Sequence, residues 1–144
     1  GGGFTMKAFR TLLKIAERDL ETLRRALGEQ LTRQALIEER ILGFQQTIRS
    51  EQQAARRDYE AARAYGGFAM VAVANTRALE AEREIVLAEI ERIRALITEA
   101  HVEVRKFERL IELEEARTKA AADKREAAEL DEFATLRAAR PNSR

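Results

Sequence analysis

The residues of this sequence that could do chemistry begin with its single histidine. His101 stands between Glu99 and Glu103, each two residues away. A histidine and a carboxylate share a helix face, and can bind one metal ion, when they are three or four residues apart. The spacing of two puts these side chains on different faces, so we interpret His101 as a structural or solvent-facing residue. The sequence therefore predicts no metal site.

Other patterns that carry catalysis or bind cofactors are missing from the sequence. It has no cysteine, which excludes a disulfide framework, a thiolate metal site and a thiol nucleophile. It also has no Gly-rich phosphate loop, no nucleophile elbow and no Glu-x-x-His motif for a di-iron site. The many carboxylates alternate with Arg and Lys, as on the solvated flanks of a coiled coil. We predict a protein that is not an enzyme and needs no cofactor.

Charge and hydropathy favour a protein as the partner. The chain has 26 basic and 25 acidic residues, and its net charge of +1 removes the usual electrostatic case for binding nucleic acid or an anionic membrane. No apolar run approaches the roughly 18 to 20 residues that span a membrane, and no signal peptide is recognisable. We expect a cytosolic protein that binds other proteins, with no nucleic acid and no small-molecule substrate.

The elements that carry these residues are predicted to be two long helices. The composition is rich in Ala, Glu, Arg and Leu, includes one proline and 6% aromatic residues, and is typical of coiled coils. Gly66-Gly67 separates two long helical patterns, and adjacent glycines favour a helix end followed by a reversal. We predict an all-α fold, in which two long helices form an antiparallel coiled-coil hairpin with its turn at Gly66-Gly67.

The predicted hairpin covers residues 6–137, with a first arm at 6–65 and a second at 68–137. Residues 1–5 resemble a vector remnant, and residues 138–144, which include Pro141, are expected to form a flexible tail. The start of the second helix stays open between Gly67 and Thr76. The apolar run at 68–74 could be a strand if taken alone, and Asn75-Thr76 could cap a helix that starts later. Helix is favoured because the pattern continues directly into the second arm.

Each arm carries an apolar stripe with the 3.5-residue period of a coiled-coil seam. The stripe of the first arm comprises Phe9, Leu13, Ala16, Leu20, Leu23, Leu27, Gln30, Gln34, Ile37, Ile41, Phe44 and Ile48. That of the second arm comprises Leu79, Val86, Ile90, Ile93, Ile97, Ala100, Val104, Phe107 and Ile111. A turn at residues 66 and 67 would pair positions whose numbers sum to about 133, such as Ile48 with Val86 and Phe44 with Ile90. Gly28 and Gly43 interrupt the first arm, either as bends or close contacts or as tolerated residues.

The two arms are predicted to end unequally. With this pairing Met6 faces a position near 127, whereas helical sequence continues past Phe133. Leu130 and Phe133 then have no partner within the hairpin, and apolar residues at i and i+3 on an unpaired helix end favour a docking surface. The alternative is a frayed tail whose few hydrophobic residues have no function.

Three segments near this open end carry a family resemblance. They are Leu12-Leu13-Lys14-Ile15-Ala16-Glu17-Arg18, Arg105-Lys106-Phe107-Glu108-Arg109-Leu110, and Lys124-Arg125 followed by Leu130-Asp131-Glu132-Phe133-Ala134. With these segments, its length and its hairpin order, nearly the whole chain resembles the flagellar export protein family FliJ. The Asp-Glu-Phe-Ala segment, at its distance from the C-terminus, is the most specific of the matches.

The resemblance implies a component of the bacterial flagellar type III export apparatus, similar to the central stalk of rotary ATPases. The open end would insert into the hexameric flagellar export ATPase, and the stalk would link that ring to the membrane export gate, with export chaperones as further partners. Such a protein would be cytoplasmic and peripheral to the inner membrane at the flagellar base. The residues expected to bind the ATPase are Arg18, Arg109, Arg117, Leu130, Asp131, Glu132, Phe133 and Arg137.

The expected export-gate contact is less well defined. Family members tend to have tyrosines along the first arm, whereas this chain reads Phe44-Gln45-Gln46-Thr47-Ile48 there. Only Phe44 and Ile48 are assigned to the gate, and both also belong to the predicted seam. The alternative function is a structural coiled-coil adaptor or chaperone that has no ATPase partner and dimerises through its exposed face.

Overall fold

The computed structural model describes residues 2–140, and these residues form two long helices. Helix α1 spans Gly2–Arg57, and helix α2 spans Tyr59–Ala139. Asp58 separates the two helices, and Arg140 forms a bend after α2. No strand occurs in residues 2–140, and the helices pack together as a hairpin. The predicted all-α hairpin is therefore confirmed.

The helices meet at Asp58, and the predicted turn at Gly66-Gly67 is wrong. Both glycines lie inside α2, and no glycine in residues 2–140 has a positive φ. The Asp58 N–H donates to the carbonyl of Ala54 at 3.2 Å, and the Asp58 carbonyl accepts the N–H of Ala62 at 3.0 Å. Asp58 thus takes part in the last backbone hydrogen bond of α1 through its N–H and in the first of α2 through its carbonyl.

Local chemistry explains why the helices end at Asp58. Its Oδ1 atom accepts the backbone N–H of Glu60 at 3.0 Å, so the side chain satisfies one of the free donors at the start of α2. Arg56 and Arg57 lie in the last turn of α1, and Glu60 lies in the first turn of α2. Each charge has the sign that its helix end stabilises. Gly66-Gly67 has no comparable capping group, because glycine permits a turn without stabilising one.

The helix boundaries differ from the predicted arms in consequence. The first arm ends at Arg57 rather than residue 65, and the second begins at Tyr59, before the predicted range of Gly67 to Thr76. The segment at 68–76 is helical throughout, so it is neither a strand nor the start of a helix. Residues 138 and 139 of the expected flexible tail are also helical, whereas residues 141–144, and residue 1 of the suggested vector remnant, lie outside the described range.

Burial along both helices follows the predicted stripes. Every stripe residue of α1 and of α2 is buried or half-buried. Two compact units share these helices: one combines the residues up to Asp19 with those from Ala100, and the other is Leu20–Glu99. In the second unit Ile37, Val86 and Ile90 form a buried cluster, against which two partly buried residues pack, Leu27 and Ile41. In the first unit, Ala16 is buried at 7% exposure.

The pairing between the stripes differs from the predicted register. Arg10 and Glu115 form an ion pair at 3.8 Å, and their numbers sum to 125 rather than about 133. Glu38 and Arg83 pair at 2.8 Å, with a sum of 121. Val86 packs with Ile37 and not with Ile48. The register is shifted because the reversal lies earlier in the chain than Gly66-Gly67.

The observed register can be tested by double-mutant cycles in the free protein. Ile37→Ala and Val86→Ala should each lower the free energy of unfolding by about 1 to 5 kcal/mol, because each leaves a cavity in the core. Their combined effect should be non-additive, since contacting residues typically couple by about 0.5 to 3 kcal/mol. Chemical denaturation of the four proteins in the cycle measures this coupling.

The matched control cycle combines Val86→Ala with Ile48→Ala, the partner that a turn at Gly66-Gly67 would provide. These two changes should add to within about 0.5 kcal/mol, as expected for residues without shared contacts. Ile85→Ala, at 68% exposure beside Val86, should change stability little. Coupling between Ile48 and Val86, with none between Ile37 and Val86, would contradict the register.

Candidate partner-binding end of the second helix

The last segment of α2 continues beyond the part that α1 covers. The first residues of α1, Gly3 and Met6, share a shallow groove with Thr118, Lys119 and Ala122 of α2. From that point α2 continues through residues 123–139, a length of about 25 Å at 1.5 Å per residue. All of residues 115–140 are exposed. This segment is a single helix without a neighbouring element among the described residues.

Three large apolar side chains lie along this single-helix end. Leu130, Phe133 and Leu136 are 63%, 62% and 65% exposed, and they follow one another at intervals of three residues. Phe133 and Leu136 line a groove with Arg137, Ala139 and Arg140. At about 100° per residue, Leu130, Phe133 and Arg137 fall on one side of the helix, with Leu136 beside Phe133. The segment therefore presents an apolar strip with arginines at its C-terminal end.

Leu136 also belongs to this apolar strip, although it was not among the residues predicted from the sequence. Its signal was present in the sequence, because it repeats the three-residue step from Leu130 to Phe133. Glu132, also expected to bind the ATPase, lies on the far side of the helix from Leu130 but four positions before Leu136, so it borders the strip beside Leu136. Among residues 2–140, Asp131, Glu132 and Arg137 form no ion pair within 4.0 Å, so their charges are available to a partner.

The three other arginines assigned to the ATPase lie apart from the apolar strip. Arg117 and Arg109 precede Leu130 on α2 by about 20 Å and about 30 Å of helix, and Arg18 is on α1. Arg109 donates to Glu112 at 3.2 Å. Arg18 is exposed and forms no ion pair in the part of the chain that is described. The structure thus gathers the apolar residues with Arg137, but not these three arginines.

Arg117 is held by Glu114, the last position of the α2 seam. Two hydrogen bonds join them, from Nε to Oε2 at 3.1 Å and from Nη2 to Oε1 at 2.6 Å. The Glu114 side chain is only 11% exposed, whereas that of Arg117 is 64% exposed. These hydrogen bonds, and the attraction between the charges, lower the pKa of Glu114 and raise that of Arg117. Arg117 therefore compensates a carboxylate that ends the seam.

Phe44 and Ile48, assigned to the export gate, lie in the seam of the Leu20–Glu99 unit. Both are half-buried. Ile48 lines a groove at the helix pair, where it lies close to Tyr65, Ala69 and Ala72 of α2. Part of each side chain is therefore used by the hairpin itself.

Residues 2–140 show neither a membrane-spanning stretch nor a metal-binding cluster. Neither helix has a stretch that is both long and apolar enough to cross a membrane. Within the same residues no three His, Asp or Glu side chains gather in a way that could hold a metal ion. His101, the only histidine of the sequence, is half-buried.

Comparison with known proteins adds one match. A family model described as flagellar FliJ protein matches residues 6–143, which include α1 from Met6 onwards and all of α2 with its single-helix end. No curated protein and no solved structure gave a significant match.

The pair of Glu114 and Arg117 predicts a pH-dependent contribution to stability. The pKa of Glu114 is lowered in the folded state, so its carboxylate stabilises the fold above its ordinary pKa, and this contribution is lost as the pH falls through the lowered value. Glu114→Gln should therefore lower the melting temperature at neutral pH, and the difference should shrink in acid. Thermal melting followed by circular dichroism measures both.

Glu108→Gln is the control, because Glu108 is exposed and has no ion pair among the described residues. Its melting temperature should follow that of the unchanged protein at every pH. If the effect of Glu114→Gln were equally large in neutral and acidic solution, the ionised pair would not be its source.

Proposed function

Because the chain belongs to the flagellar FliJ protein family, and is thus a component of the flagellar type III export apparatus, we propose that it acts as the central stalk of the export ATPase. In this role the protein inserts its open end into the hexameric ATPase ring and stimulates the ATPase. It also links the ring to the membrane export gate. The protein itself is non-catalytic. It works at the cytoplasmic side of the inner membrane, where export chaperones are further partners.

The single-helix end of α2 is the observation that carries this proposal. Residues 123–139 form a helix that needs no partner to keep its backbone hydrogen bonds, and a lone helix is only about 10 to 12 Å wide. Such a segment fits a narrow central opening better than two packed helices do. Its exposed Leu130, Phe133 and Leu136 supply apolar surface that a ring subunit can bury. Large aromatic side chains are common anchors in such interfaces.

Asymmetry gives the stalk a way to act on the ring. A six-fold ring around one helix end cannot offer the same contact to every subunit, so Phe133 contacts one or a few subunits at a time. A subunit that binds the helix better in one conformation is shifted towards that conformation. The stalk therefore changes ATPase activity through differential binding, without taking part in the chemistry.

Charges near the same end contribute to association. Asp131, Glu132 and Arg137 are not engaged in ion pairs among residues 2–140, and neither is Arg18, so each can meet an opposite charge on a partner. Arg109 and Arg117 already pair with glutamates on α2. We expect Arg18 and Arg137 to contribute more to electrostatic steering than these paired arginines, because a neighbouring carboxylate cancels much of their field.

The gate contact is proposed for the hairpin body at Phe44 and Ile48. Both side chains are half-buried, so each keeps some accessible surface beside the seam. Their use by a partner must leave the seam contacts in place, which restricts the gate to the outer edge of these side chains.

Phe133→Ala tests the ATPase-binding end. The melting temperature of the free protein should stay almost unchanged, because Phe133 is 62% exposed. Binding to the purified export ATPase should weaken by about 1 to 3 kcal/mol, the range for losing an aromatic anchor. Titration calorimetry and ATPase rates measured with and without the variant give both quantities. Leu136→Ala should also weaken binding to the ATPase and leave the melting temperature almost unchanged.

Two control variants make this result specific. Val102→Ala removes an aliphatic side chain of similar exposure, 60%, from another part of α2 and should leave binding unchanged. Phe107→Ala removes a half-buried seam residue and should lower the melting temperature. If Phe133→Ala kept full binding and stimulation, the docking end would lie elsewhere. If the ATPase did not bind the unchanged protein at all, the alternative function as an adaptor or chaperone would replace the stalk.

A further inference from the structure

The outward side of α2 near its start is apolar and uncovered. Residues 64–76 contain no charge. One side of this stretch packs towards α1, where Ala72 is 3% exposed. The other side is open to solvent: Tyr59 and Met70 are each 78% exposed, and Val71 and Val73 are 59% and 51% exposed. This exposed surface belongs to the Leu20–Glu99 unit and is not used by the proposed stalk function.

Two seams run along this part of α2. The inner seam towards α1 consists of Tyr65, Ala69, Ala72, Thr76 and Leu79, all of them buried or half-buried. On the side of α2 that faces away from α1 lies a second row of residues, which we call the outer seam. It consists of Glu60, Arg63, Gly67, Met70, Ala74 and Arg77, all of them exposed. Both follow alternating steps of three and four residues, the spacing at which a helix packs against another. The outer seam has no helix against it among the described residues.

The outer seam is complementary to itself when two copies run in opposite directions. With a two-fold axis between Phe68 and Ala69, residues whose numbers sum to 137 face each other. Met70 then faces Gly67 of the other copy, so that a long side chain meets a position without one. The remaining pairs are Arg63 with Ala74 and Glu60 with Arg77. Every pair occurs twice, as a two-fold interface requires.

We propose that two copies of this chain associate through the outer seam, antiparallel and two-fold symmetric. Glu60 and Arg77 form no ion pair in residues 2–140, so each is available to the other copy. The pairing of Glu60 with Arg77 at both ends of the seam favours a second copy of this chain, because each charge then meets its opposite across the interface.

Gly67 supports this assignment by its position in the outer seam. Glycine inside a helix costs about 1 kcal/mol relative to alanine. A Cβ atom added at Gly66 or Gly67 would meet nothing within 4 Å, so packing within the chain does not require glycine there. In the antiparallel pair, Met70 of the second copy lies against Gly67, and the missing side chain lets the helices approach closely.

Charge reversal followed by mixing tests the pairing in the full chain. Glu60→Arg alone sets Arg against Arg77 in both halves of a dimer, and Arg77→Glu alone sets Glu60 against Glu. Each single variant should therefore self-associate about tenfold more weakly than the unchanged protein. An equimolar mixture of the two variants should restore association, because both contacts in the mixed dimer are then between opposite charges. Sedimentation equilibrium over a range of concentrations measures each dissociation constant.

Gly67→Leu separates the interface from the stability of the chain. Leucine is a better helix former than glycine, and a Cβ atom added at this position meets nothing within 4 Å, so the melting temperature of the dilute protein should rise. Dimerisation should nevertheless weaken about tenfold, because the new side chain occupies the space of Met70 from the other copy. Gly43→Leu is the matched control: Gly43 is also exposed inside a helix with nothing within 4 Å, and this change should leave dimerisation intact.

Three results would overturn the proposal. The first is an unchanged protein that stays monomeric at every concentration reached. The second is a mixture of Glu60→Arg and Arg77→Glu that associates no better than either variant alone. The third is a monomeric protein that binds vesicles of anionic phospholipid and loses this binding with Met70→Glu, which would assign the outer seam to a lipid surface.

Discussion

The packing of Ile37 against Val86 and Ile90 is the interaction on which the rest of this structure depends. Two helices without a third layer can bury only a narrow strip, and no polar side chain among residues 2–140 is buried with it. Most of each helix is therefore open to solvent. The proposed partner contacts accordingly lie on this exposed surface.

The 3.5-residue period explains why the sequence predicted the seam but not its register. Two such stripes still face each other after one slides past the other by three, four or seven residues, so the pattern fixes which residues are buried and leaves their partners open. Ile37 lies three seam steps before Ile48, and either could have paired with Val86. The register is decided by where the chain reverses. The capping residue Asp58 and the charges of Arg56 and Arg57 are signals of this reversal in the sequence, and the Gly66-Gly67 pair is a competing signal eight residues later.

The sequence was sufficient to predict which apolar residues of the candidate site are exposed to solvent. Leu130 and Phe133 are uncovered because α1 starts opposite the region near Ala122, and α2 continues beyond it. Leu136 could have been added from its spacing alone. The sequence has many Glu and Arg residues three or four positions apart. It therefore gave no reason to single out Glu114 and Arg117 among these possible ion pairs. Their pairing became visible only when the burial of Glu114 showed that this carboxylate ends the seam.

Glycine within α2 shows how one residue type supports opposite interpretations. A Gly-Gly step permits a reversal, but the chain turns there only if other interactions stabilise the turn. In this chain the reversal is stabilised at Asp58 instead, where the side chain caps α2. The pair then remains in a helix at a cost of about 2 kcal/mol relative to two alanines. A Cβ atom added at either position would meet nothing within 4 Å outside the local helix backbone, so packing among residues 2–140 does not require glycine there. Gly43 in α1 has the same open surroundings, so open space alone does not distinguish the pair in α2. What distinguishes Gly67 is its place on the exposed face that carries Met70, where the proposed second copy would approach.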